Sequence, residues 1–116
     1  MKIAIRRGHN KQAIGSVGLV SEVEVNEAIL STTIKYLKAL GHEVLDASPG
    51  NMSSSSDLAH GVKKANDWNA DVFISIHCNK AYNTYTGAIG SECLVYSKSD
   101  KYKDEVIAQR IVNNLG

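Results

Sequence analysis

The chain has 116 residues, 43% hydrophobic and 22% charged, with 13 basic against 12 acidic side chains and a net charge of +1. That length makes one domain, residues 1–116, with enough apolar surface for a core, and the even charge balance argues against a dedicated nucleic-acid binder with a basic stripe. No apolar run approaches the roughly 20 residues of a membrane helix, and the two cysteines, Cys78 and Cys93, are too few for a disulfide framework and lack CxxC spacing.

Met1 to Arg6 opens with Ile3, Ala4 and Ile5 and reads as a first central strand, ended by Gly8 with His9 just beyond it. The N-terminus lacks the longer apolar stretch of a secretory signal. Either the protein is made in the cytoplasm or its signal lies outside this sequence. Asn10 to Val20 carries Gly15 and Gly18 without a period and reads as a loop.

Ser21 and Glu24 form an S-x-x-E capping box that starts a helix over Glu22 to Leu40. Val25, Ile29, Leu30, Thr33, Ile34, Leu37 and Leu40 give it an apolar face, and Gly41 is the expected C′ residue. His42 to Ala47 reads as a second strand. Ser48 to Ser56, with the only proline and a run of serines, reads as an exposed loop. A second helix is expected over Asp57 to Asn69 on the stripe Leu58, Val62, Ala65 and Trp68.

Ala70 to Asn79, ADVFISIHCN, carries the densest apolar run, and reads as a strand buried on both faces that ends in His77. Lys80 to Gly90 is a loop, Ser91 to Ser97 a fourth strand, and Tyr102 to Leu115 a third helix. The order β-α-β-α-β-β-α predicts an α/β fold, a three-layer sandwich in which helices cover a mainly parallel central sheet. A strand order beginning 2-1-3 sets the first and third strands side by side, with His9 and His77 at one edge.

Two histidines at the ends of adjacent strands suggest a metal. Zinc accepts neutral imidazole, and a catalytic site wants three protein ligands and an open position. Glu22 and Glu24, at the start of the first helix, are the nearby carboxylates. The capping box occupies Glu24 and leaves Glu22 to point elsewhere, with Asn26 one turn later as a donor able to orient it. The plainer readings are that His77 caps a strand and that Glu22 is an acid placed against the helix dipole; spacing alone favours the latter. His42 and His60 read as surface residues. There is no G-x-G-x-x-G, P-loop or G-x-S-x-G motif.

These residues carry a resemblance over nearly the whole chain. Gly8-His9, Gly15-Ser16-Val17-Gly18, Glu22 through Asn26 as E-x-x-x-N, Leu58, Ala65 and Asn66, ADVFISIHCN, and Gly90-Ser91-Glu92 as G-x-E stand in an order similar to that of the type 3 N-acetylmuramoyl-L-alanine amidases. The chain also resembles catalytic domains of clostridial phage endolysins, which are bacteriolytic. The resemblance implies a hydrolase that holds one Zn2+ with His9, Glu22 and His77 and cleaves the amide between N-acetylmuramic acid and L-alanine in peptidoglycan. It places the protein's action at the bacterial cell wall and gives Asn26, Asn79 and Glu92 roles around the metal or the substrate.

Arg6, Arg7 and Gly61 depart from the usual family residues and read as substrate-side variation. The family domain also continues past its third helix, where a strand carries the general-base glutamate. No residue of this chain matches that glutamate, and Glu92 belongs to the G-x-E match. The expectation is a family domain truncated at its C-terminus, weak or inactive in turnover, whose unpaired sheet edge would offer a second copy a place to dimerise. The alternative is a metal-containing module that binds peptidoglycan without cleaving it.

Overall fold

Three consecutive apolar residues, Ile3, Ala4 and Ile5, make the central strand of the protein. In a computed structural model they lie in β1 (Lys2–Arg7), and all three are buried. The structure describes residues 1–10, 21–48, 50, 52–78, 90–95 and 104–115. The chain divides into two units, Met1–Ala81 and Tyr82–Gly116.

In the first unit β1 is followed by α1 (Glu22–Ala39), β2 (Glu43–Asp46), α2 (Ser54–Asp67) and β3 (Val72–Ile76). The sheet is parallel in the order β2-β1-β3; in that order right-handed crossovers place α1 and α2 on opposite faces. Ile3 registers with Val44 and Val72, and Arg7 with Ile76, so β1 and β3 end together.

Side chains alternate across a strand, and β1 uses both faces. Arg7 pairs with Glu27 of α1, which puts Ile3 and Ile5 on the α1 side. Arg6 pairs with Asp57 of α2, which puts Ala4 on the α2 side, in a small core with Ala47, Ala65, Trp68 and Ala70. Gly61 permits that close approach. A Cβ there would stand 3.2 Å from the Arg6 side chain and 3.3 Å from Phe73. Arg6 and Gly61 are therefore interior residues and not substrate-side variation.

Several other expectations are corrected. β3 is not buried on both faces: its residues alternate between half-buried and exposed, with Phe73 36% exposed. It is an edge strand among the described residues, and β1 is the fully covered one. Ser91–Val95, expected as most of a fourth strand, has no strand geometry. Alternation of side chains signals a strand only where a neighbour takes the backbone bonds.

Helix α2 starts inside the serine run. Ser53 is its cap, and its hydroxyl accepts from the Ser56 amide. The buried face of α1 runs through Glu22, Val23, Asn26 and Leu30, while Ile29 and Leu40 are exposed. Two polar residues thus occupy the inward stripe that apolar periodicity assigns to Val25 and Ile29. In the second unit, α3 spans Asp104–Leu115. Among the described residues no helix is long and apolar enough to cross a membrane.

Candidate metal centre

The carboxyl ends of β1 and β3 and the first turn of α1 meet at one point. Gly8 donates its amide to the Ile76 carbonyl at 2.7 Å, carrying the pairing one residue past β1. His77 then lies across Gly8, and a Cβ on residue 8 would collide with the imidazole ring. Gly8 is required by that close approach. His9 follows at φ 63°, a left-handed conformation that costs a non-glycine residue of order 1–3 kcal/mol and persists only where its surroundings impose it.

That turn aims His9 at His77. The two rings meet edge to face, with centroids 4.8 Å apart and planes at 88°. Both address one oxygen of Glu22: His9 Nε2 stands 3.5 Å from Oε1 and His77 Nδ1 3.2 Å from it. Glu22 is only 3% exposed. Its Oε1 also accepts the Cys78 backbone amide at 3.0 Å, so the end of β3 fixes the carboxylate and presents His77 in one step.

The donor set suits a metal. Ligand atoms from His9, Glu22 and His77 all lie within 4.8 Å of one another. Ligands held tetrahedrally about 2.0–2.2 Å from a zinc ion stand about 3.4 Å apart, and the distances from Glu22 Oε1 to His9 Nε2 and His77 Nδ1, 3.5 and 3.2 Å, bracket that spacing. A buried carboxylate facing two imidazoles is costly unless a proton or a cation offsets its charge.

The remaining sequence candidates separate. Asn26 is fully buried beside the site but does not orient the carboxylate as expected. Its Nδ2 donates to the Gly8 carbonyl at 3.2 Å, and its Oδ1 lies 3.7 Å from the Cys78 sulfur. It therefore holds the backbone that carries His9. The capping box does not form either: the Ser21 side chain makes no cap bond, and Glu24 is exposed. Glu92 lies exposed in the second unit, and Asn79 lies outside the described residues. Cys78 and Cys93 are free thiols. Burial, and then the Glu22 charge, pushes the Cys78 thiol above its ordinary range.

Sequence reasoning missed Ser75, whose hydroxyl lies 3.1 Å from His77 Nε2. With Nδ1 turned to Glu22, this hydroxyl takes the other ring nitrogen, the arrangement that fixes a ligand imidazole's orientation. Strand period 2 was the available signal, since residues 75 and 77 share a face.

The match to known families agrees with this geometry. The model of the N-acetylmuramoyl-L-alanine amidase family matches residues 3–116. The chain belongs to that family. Two relatives of this amidase-family chain, both from Clostridium perfringens, are uncharacterised. One, from strain 13 / Type A, is 44% identical over 115 residues, which is 99% of this chain and 34% of the relative. The other, a 38.4 kDa protein, is also 44% identical over 115 residues, covering 99% of this chain and 33% of the relative. The amidase-family chain thus spans about a third of the length of the curated relatives it matches.

Proposed function

We propose that this chain is a zinc-dependent N-acetylmuramoyl-L-alanine amidase domain, a hydrolase that cuts the amide between N-acetylmuramic acid and L-alanine in peptidoglycan and acts at the bacterial cell wall. The observation that carries the reading is the convergence of His9, Glu22 and His77, with ligand atoms within 4.8 Å of one another, in a chain of the amidase family. These three residues would hold the ion. A zinc bound there supplies Lewis acidity, lowering the pKa of a water and polarising the scissile carbonyl.

The chain's own residues do the positioning. Glu22 brings a negative charge into a buried first turn, and the Cys78 amide holds its oxygen. Gly8 leaves room for the His77 ring, and Ser75 occupies its far nitrogen. His9 and His77 are more exposed than Glu22, with side-chain exposures of 29% and 48% against 3%. The site therefore opens towards solvent on its histidine side, where a polymeric substrate can approach.

The alternative is a module that binds metal and cell wall without cleavage. Purified peptidoglycan incubated with the protein, with and without chelator, distinguishes them. Release of stem peptides with a new L-alanine amine, lost with chelator and in Glu22→Ala, supports the amidase. Wall binding with no such release even at high enzyme supports the module. Metal analysis that finds no zinc before or after its addition refutes both.

A further inference from the structure

A second buried polar cluster lies on the α2 side of the sheet. Arg6, Asn10 and Asp57 are 3%, 0% and 2% exposed. The Arg6 guanidinium pairs with the Asp57 carboxylate. Its Nε donates to the Arg7 carbonyl at 2.9 Å and its Nη1 to the Asp57 carbonyl at 3.3 Å. The other Asp57 oxygen accepts from Asn10 Nδ2. The same Asn10 amide group donates to the Met52 carbonyl at 2.9 Å, and its Oδ1 accepts the Met52 amide at 3.2 Å. Most of the bonding capacity of one asparagine side chain is thereby spent on the start of α2 and the residues before it.

Asn10 is the residue after His9, and His9 holds the left-handed conformation. On the near side that conformation is set by the Gly8 amide on Ile76, the Gly8 carbonyl on Asn26, and the Arg7 guanidinium donating to the His9 carbonyl at 3.1 Å. Asn10 anchors the far side. An ion pair is an inefficient way to stabilise an interior, since apolar residues of the same volume often serve as well. This one does something apolar residues cannot: it presents a fixed acceptor to Asn10.

We infer that Asn10, seated by the Asp57–Arg6 pair, is a positioning residue for His9. It locks the turn that brings the His9 imidazole to Glu22 and His77, and so sets the affinity of the metal centre. The inference rests on the metal reading of those three residues.

The test measures zinc affinity by competition with a chelating dye, the visible spectrum of the Co2+-loaded protein, and the melting temperature without metal. Asn10→Ala is expected to weaken zinc about 10–100-fold, the usual effect of losing a group that supports a ligand, and to change the Co2+ bands. Leu30→Ala, a cavity on the α1 side, is expected to lower the melting temperature yet keep zinc affinity and spectrum. If Asn10→Ala does not fold, the double variant Arg6→Met/Asp57→Leu replaces the ion pair with apolar groups and removes Asn10's acceptor; the same loss of affinity is expected. Wild-type affinity and spectrum in a folded Asn10→Ala or double variant overturns the inference, as does an equal loss of affinity in Leu30→Ala. Failure of the wild-type protein itself to bind zinc overturns the metal reading, and this inference with it.

Discussion

Two carboxylates sit in the first turns of two helices on opposite sides of one sheet. Glu22 of α1 and Asp57 of α2 are both almost fully buried. Their partners differ. Asp57 faces a guanidinium, a permanent positive charge, and an asparagine amide. Glu22 faces two imidazoles and a backbone amide. Arginine stays protonated at any working pH, whereas imidazole is charged or neutral according to its surroundings. The Asp57 pair is therefore closed electrostatically within the protein. The Glu22 cluster is the kind that a divalent cation completes. The same residue class in the first turn of a helix builds an anchor in one place and a candidate metal centre in the other.

The largest expected difference between them is in stability. Asp57→Ala strands a buried guanidinium and is expected to cost about 3–5 kcal/mol, read as a fall in the denaturation midpoint without metal. Glu22→Gln removes a charge that the metal-free fold must itself accommodate. It is expected to leave that midpoint nearly unchanged and to weaken zinc by more than about 100-fold, beyond the usual effect of losing a supporting group. A large loss of metal-free stability in Glu22→Gln would erase the contrast.

Zinc sharpens the comparison further. At about 100 times its Kd a ligand adds roughly 2.7 kcal/mol to stability. That increment is expected in thermal melts of the wild-type protein and is expected to vanish in Glu22→Gln. Gly8→Ala is expected to act on the Glu22 side alone, because the new methyl displaces the His77 ring. Its expected signature is about tenfold weaker zinc binding, measured by the same competition assay. The smallest effect belongs to Lys63→Ala, which breaks an exposed i,i+4 pair with Asp67; neither the melting temperature nor zinc affinity should move.

The parts of this molecule that were legible in the sequence are those in which local pattern and tertiary role agree. Ile3-Ala4-Ile5, the helical spacing after Ser21 and the abrupt change at His77 gave the strand order and the edge where His9 and His77 meet. Residues whose partners lie far along the chain were not legible. Arg6 reads in the sequence as substrate-side variation, and only the fold supplies Asp57, 51 positions away. Asn26 was assigned to Glu22 on helical spacing, but its donor reaches Gly8 on a different element. Glu22 was preferred over Glu24 through a capping box that does not form. What separates them in the structure is the direction each faces: Glu22 turns to the sheet end and Glu24 to solvent.

Glu22 and His77 are 55 residues apart in sequence. Their contact closes most of the first unit into a loop, and contacts of that range form late and slowly because closure entropy must be met first. A metal held by β1, α1 and β3 together would act as a removable cross-link on that loop. Its residence time would then be linked to the rate at which β3 parts from β1. Metal exchange measured against hydrogen exchange of the Gly8 and Cys78 amides would expose that opening motion, and the ion would serve as a clock for the fold that made its site.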